Sequence, residues 1–295
     1  MNKTRRDFLR YSAVMGAGVL LKPFNSYAIA IEASKFLDRI GVCTGISNNG
    51  LLASAGYSYV EEATRSFLIP AEDETAFQTK LALLKESKLP VEACNNFIAG
   101  NLKSVGPAAV HDEILKFVET AFRRAEITGV KTIVFGSGGS RAIPEGFSRD
   151  EAREQFISLC KKMAPIAGKY NVVISLEPLN KGECNFVNSV AEGGEIVKAV
   201  NHKNFRLLAD LYHMLRENES PENIIKYGDL LYHTHIAENT GRTAPGVNKE
   251  DFTPYFKALK KIGYQGRMSI ECSWNNLGEQ AAPALQEMRR QLAPI

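Results

Sequence analysis

Short apolar runs alternate with stretches of helical period along almost the whole chain, and this alternation most narrows the folds open to it. Ile40–Cys43, Tyr59–Ala63, Val91–Ile98 and Lys131–Phe135 read as the first four strands. Four more lie in the runs VVISLEPLN, FRLLADLYH, LLYHTHIAE and RMSIECSW. Helical faces fall between them. Phe77, Leu81 and Leu84 share a side of a helix around Asp73–Lys85, and Ile114, Val118, Ala121 and Ala125 repeat between Ala108 and Thr128. Residues 149–169 carry Phe156, Leu159, Met163 and Ile166. Further helices are expected near 189–200, 221–227 and 250–262, and a last one carries Leu285, Met288 and Leu292. Each unit is long enough for a right-handed crossover between parallel strands. Eight such units in 295 residues predict an α/β fold, a closed (β/α)8 barrel.

The competing architecture is an open, doubly wound sheet. Its phosphate fingerprint should follow the first strand directly, and none is there. Gly136-Ser137-Gly138-Gly139 follows the fourth strand without that spacing or a helix start. It reads as a loop that needs permissive backbone near a ligand. No linker, charge run or low-complexity block divides the chain.

The formal charge of +3 comes partly from the N-terminus. Thr4-Arg5-Arg6-Asp7-Phe8-Leu9-Arg10 is a twin-arginine pattern, followed by a weakly apolar run over Tyr11–Leu21 and small residues at Ser26-Tyr27-Ala28. Residues 1–28 are therefore read as an export signal and 29–295 as the barrel, which places the mature protein in the periplasm with the twin-arginine machinery as its export partner. Without the leader the chain holds 31 basic and 32 acidic residues, a net of −1. Nothing in that balance suggests a nucleic-acid surface. No other segment is apolar enough to span a membrane. The five cysteines are scattered without CxxC spacing, so Cys43, Cys94 and Cys272 are expected as small buried residues within strands.

Four residues stand out at the carboxyl ends of the last four strands: Glu177, Asp210, His235 and Glu271. Strand alternation puts Ser175 with Glu177, Ser269 with Glu271, and His233 with His235 on one face. Helices cover the outside of such a barrel, so this polar face lines the inside. Buried acids there are costly unless paired or bound to a cation. The plainer explanation is neutralisation by Lys or Arg, but none alternates onto the same face beside Glu177, His235 or Glu271. Three carboxylates and an imidazole make a hard divalent site suited to Mn2+, Mg2+ or Co2+, with Zn2+ compatible. His233, two residues deeper, reads as a hydrogen-bonded core histidine.

The segments ISLEPLN, LLADLYHM, HTHIAEN and SIECSW resemble the xylose isomerase-like TIM-barrel superfamily. It includes ketose 3-epimerases, hydroxypyruvate isomerase and inosose dehydratase. The resemblance covers roughly residues 38–292. It implies one divalent metal held by Glu177, Asp210, His235 and Glu271, with Glu177 and Glu271 as acid and base on opposite faces of a sugar. It also implies substrate contacts from Glu183, His213 and Arg242. Glu61, ending the second strand, is a further candidate for a sugar hydroxyl, with a solvated loop acid as the alternative. Trp274 could stack on a sugar ring or pack into the core, and Arg141, after the glycine loop, could clamp a substrate but reads better as a surface arginine.

Proton transfer α to a carbonyl through an enediolate needs only a cation and two carboxylates. Return to the same carbon epimerises and return to its neighbour isomerises. With a leaving group at the β-carbon the same chemistry is that of a lyase or dehydratase. Trp274-Asn275-Asn276 after the last strand carries no cation for a phosphate, which favours a non-phosphorylated ketose or keto-sugar. A nuclease on the same fold would need a richer ligand cluster and a DNA-binding face. A catalytically silent carbohydrate-binding barrel, monomeric or homo-oligomeric, is the alternative from another class.

Overall fold

A computed structural model describes residues 36–295; the leader lies outside the described residues. Eight parallel strands close in chain order into one barrel. They are β1 (Ile40–Cys43), β2 (Tyr59–Ala63), β3 (Val91–Asn95), β4 (Thr132–Phe135), β5 (Val173–Leu176), β6 (Phe205–Asp210), β7 (Leu231–Ile236) and β8 (Arg267–Ile270). The ring closes where β1 pairs with β8, Val42 against Ile270. No described helix is long and apolar enough to cross a membrane.

Local chemistry explains the helix bounds. Asp73 accepts from the Ala76 amide at the start of Glu74–Lys85, Ser148 from Glu151 ahead of Arg149–Lys169, and Ser189 from Glu192 ahead of Val190–Val200. The barrel's outer face is apolar. Phe135 of β4 packs between Phe97 and Phe156, with ring centroids 5.7 and 5.2 Å away. Arg124, 1% exposed on the helix His111–Thr128, donates to the carbonyls of Leu68, Ile69, Glu72 and Asp73 and so pins the turn after β2.

The interior is far more polar than a barrel filled with Val, Ile and Leu. Gly41, Tyr59 and Ser269 share one layer, and the Tyr59 hydroxyl lies 2.6 Å from Ser269 Oγ. A Cβ on Gly41 would collide with the Tyr59 ring, so the glycine makes room for that aromatic across the barrel.

Several expectations need correction. Strand β3 stops at Asn95, because Asn96 turns the chain with φ +48°. Cys272 lies beyond β8, not within it. The segment expected as a polar loop at 47–50 forms a 3-10 turn, Ile46–Asn48, and a helix, Asn49–Ala55, which buries only Leu52 and so carries little periodic signal. A one-turn helix, Gly138–Arg141, does start within the glycine run. It tucks Arg141 inside at 0% exposure, where the guanidinium donates to the Phe135 carbonyl at 3.2 Å; this arginine is not at the surface. All five cysteines are free thiols.

Candidate metal centre

The barrel brings Glu177, Asp210, His235 and Glu271 to one place. One ligand atom from each lies within 4.8 Å of the others. The ladder extends past the strand ends to hold them: the Glu177 amide donates to the Phe135 carbonyl and the Glu271 amide to that of Ile236. His235 Nδ1 faces Glu177 Oε1 at 3.1 Å and Glu271 Oε2 at 3.3 Å. Asp210 spends Oδ1 on the amide of Tyr212, capping the helix Leu211–Arg216, which leaves Oδ2 turned inward.

Glu177 sits against bare backbone. A Cβ on Gly136 would collide with Glu177 Oε2, so this glycine of the Gly136–Gly139 run is needed for space. The left-handed backbone of the run is carried by Ser137, at φ +42°.

Around this centre lie the expected rim residues. The backbone amide of Asn180 donates to His213 Nδ1 at 3.1 Å, so the neutral imidazole carries its proton on Nε2. That nitrogen is buried with no hydrogen-bond partner, 3.5 Å from Asp210 Oδ2. Glu183 Oε1 accepts from Asn180 Nδ2 at 3.0 Å and from Arg242 Nη1 at 3.3 Å. Arg242 comes from the loop after β7, and Glu238 organises that loop. This fully buried carboxylate accepts from Thr243 Oγ1 and from the amides of Gly246, Asn248 and Glu250. Trp274 is half-buried against the core, and its indole N–H has no partner among the described residues.

Two residues differ from expectation. Glu61 is neither a rim ligand for a sugar nor a solvated loop acid. It is 1% exposed beneath the cluster, and both of its oxygens are engaged by histidines. His233 is one of them, in place as a hydrogen-bonded core residue. Arg242, in turn, does reach the carboxylates: Nη2 donates to Glu271 Oε2 and stands 3.6 Å from Asp210 Oδ2. Strand alternation is blind to a side chain that enters from a loop.

Two asparagines escaped the reading of the sequence. Asn95, at the end of β3, donates to Glu271 Oε1 at 2.7 Å. Asn180 orients His213. The available signal was a polar side chain at a strand end for Asn95, and a place three residues after the first ligand for Asn180.

Burial and neighbours set the charges. Burial raises the Glu177 carboxyl, the bond from His235 offsets this in part, and Glu271 adds repulsion. Burial also pushes Asp210 up to about 6 against the pull of Arg242 and His235. For Glu271 burial opposes ionisation, but His235 and Arg242 outweigh it and bring the carboxyl down to about 2. Burial lowers His213.

The donor set fits a divalent cation. Three carboxylates converge, Arg242 donates a hydrogen bond to only one of them, and Asp210 Oδ2 is buried without any hydrogen bond. An orphaned carboxylate oxygen beside an imidazole nitrogen and two further carboxylates is what a hard cation satisfies.

The profile of the xylose isomerase-like TIM barrel matches residues 50–293. L-ribulose 3-epimerase of Methylomonas sp. (strain DH-1) is 31% identical over 247 residues, which are 76% of this chain and 82% of the relative. Among solved structures, D-allulose 3-epimerase from Methylomonas sp. in complex with D-allulose is similar at a TM-score of 0.69 and 25% identity, covering 86% of this chain and 96% of the other. The apo form of 3-keto-D-glucoside 4-epimerase from E. coli shares the fold at a TM-score of 0.70 and 22% identity, over 85% of this chain and 99% of that one. With the family profile spanning most of the barrel, the chain belongs to the xylose isomerase-like TIM-barrel family.

Proposed function

We propose that this protein is a divalent-cation-dependent sugar epimerase or isomerase acting on a non-phosphorylated ketose or keto-sugar. The convergence of Glu177, Asp210, His235 and Glu271 at the carboxyl ends of β5–β8 carries the reading. These four would hold the cation, and the oxygen-rich set suits Mn2+, Mg2+ or Co2+, with Zn2+ compatible. When bound, the cation supplies Lewis-acid stabilisation of the charge that develops on adjacent carbonyl and hydroxyl oxygens of the sugar.

The chain's own residues move the proton and hold the substrate. Glu177 and Glu271 are the acid–base pair: one carboxylate takes the proton from the carbon beside the carbonyl, and the other carboxyl returns one. The His213 Nε2–H, fixed in that tautomer by Asn180, is a donor for a substrate oxygen. Glu183 and Arg242, already paired to each other at the rim, bind hydroxyls. Trp274 offers an apolar face to the ring. The ketose 3-epimerases among the relatives support the substrate class. The cation-free stretch Trp274-Asn275-Asn276 after β8 supports a substrate without phosphate.

The test is NMR in D2O of the Mn2+-loaded protein with a panel of ketoses, 3-keto-glycosides and inososes. Deuterium should enter at the carbon beside the carbonyl, and a chelator should stop the uptake. A new unsaturated product would instead make the protein a lyase. No label in any sugar would leave a binding barrel without turnover.

Export through the twin-arginine route is part of the proposal, supported by Thr4–Arg10 and the apolar run after it. Replacing Arg5 and Arg6 together by Lys should hold the protein in the cytoplasm of its host. Unchanged periplasmic fractionation would refute this route.

A further inference from the structure

We infer that Glu61 is the positioning residue of the metal centre, the carboxylate that aims the His235 imidazole at the cation. This rests on the cation reading proposed above, and it concerns a side chain that would touch neither cation nor sugar.

The geometry is specific. His235 presents Nδ1 to Glu177 and Glu271, so its other ring nitrogen must be satisfied inside the barrel. Glu61 Oε1 lies 3.0 Å from that Nε2. A carboxylate can only accept there, which keeps a proton on Nε2, so that Nδ1 is the nitrogen that would give its lone pair to a bound cation beside the other three ligands. The wrong tautomer would turn an N–H toward the cation. A carboxylate behind a ligating imidazole also raises its basicity and fixes the plane of the ring.

Glu61 is itself immobilised. Its second oxygen is 2.9 Å from His233 Nε2 and accepts from Ser269 Oγ at 2.5 Å. Ser269 is in turn 2.6 Å from the Tyr59 hydroxyl. Four strands therefore lock one carboxylate: β2 supplies Glu61 and Tyr59, β7 both histidines, and β8 Ser269, while β1 leaves the space for Tyr59 at Gly41. A glutamate that only filled core space would not need a hydrogen bond to each of two imidazoles.

The experiment is Mn2+ titration of the full chain, followed by EPR of the free ion, for the wild type, Glu61→Gln and Glu61→Asp, with circular dichroism to verify the fold. Glu61→Gln keeps the volume but puts an amide where a carboxylate stood. The wild type should bind, and Glu61→Gln should bind roughly 10–100-fold more weakly at unchanged secondary structure. Glu61→Asp, which keeps the charge on a shorter arm, should fall between the two. Equal affinity in wild type and Glu61→Gln would overturn the positioning role while leaving the cation reading intact. A wild type that binds no Mn2+, Mg2+ or Co2+ would overturn the cation reading, and this role with it. If Glu61→Gln fails to fold, Glu61→Asp decides: affinity equal to wild type rejects the role, and weaker binding supports it.

Discussion

Glu271→Gln and Glu177→Gln should each lower conversion of a substrate sugar to its epimer or isomer by roughly 10²–10⁴-fold, the usual contribution of a positioned general acid or base. The amide keeps the shape of the side chain but can neither take nor return a proton. Both side chains are also candidate ligands, so the measurement belongs at saturating Mn2+, where weakened binding is compensated. The pair works as a unit. One carboxyl without the other cannot take a proton from one face and deliver one to the opposite face, so for net conversion the double variant should be hardly slower than either single one. Activity within tenfold of wild type in either single variant would remove that glutamate from proton transfer. The neighbours of the two residues are not alike: Asn95 and Arg242 donate to Glu271, whereas His235 and the bare backbone of Gly136 border Glu177. Of the two, Glu177→Gln should therefore disturb the surroundings less.

Gly136→Ala should be nearly as damaging without touching a polar group. The added methyl would lie 2.2 Å from Glu177 Oε2, and the end of that side chain is the group that gives way. The Glu177 carboxyl must then move by about an ångström, a displacement that costs on the order of 10²-fold in rate at a reacting centre. Gly136 is not in a left-handed conformation, since its φ is not among the positive ones, so alanine is compatible with the backbone itself. Secondary structure should persist while exchange activity and Mn2+ affinity fall together. A Gly136→Ala protein with wild-type exchange would show that Glu177 does not need its present position.

Much of this centre could be read from residue order. Ile40–Cys43 and Tyr59–Ala63 are strands at the expected bounds, since short β-branched and aromatic runs between turn residues have few other uses. Glu177, Asp210, His235 and Glu271 were recognisable because each ends an apolar run, where an acid or imidazole is conspicuous. Glu61 was misjudged for a definite reason. A register shift between Val60 and Glu61 alters the pairing of β2 with β3, and Glu61 and Glu62 are both buried although neighbours point to opposite faces. Glu61 faces the histidines, while Glu62 accepts from the amides of Ile46 and Ala63. Nothing local separates the two. Arg141 looked like a surface residue because a one-turn helix has no period to reveal its buried side.

What the sequence determined by itself was the alternation of strands and helices and the polar groups at the strand ends, because period and polarity are properties of a few neighbouring residues. The tertiary structure alone decided which groups share a hydrogen bond. Glu61 meets His233 across 172 positions of chain, Asn95 meets Glu271 across 176, and Arg242 enters from a loop held by Glu238. Such contacts arise from the closure of the barrel and the stagger of its strands, which no short stretch of residues encodes.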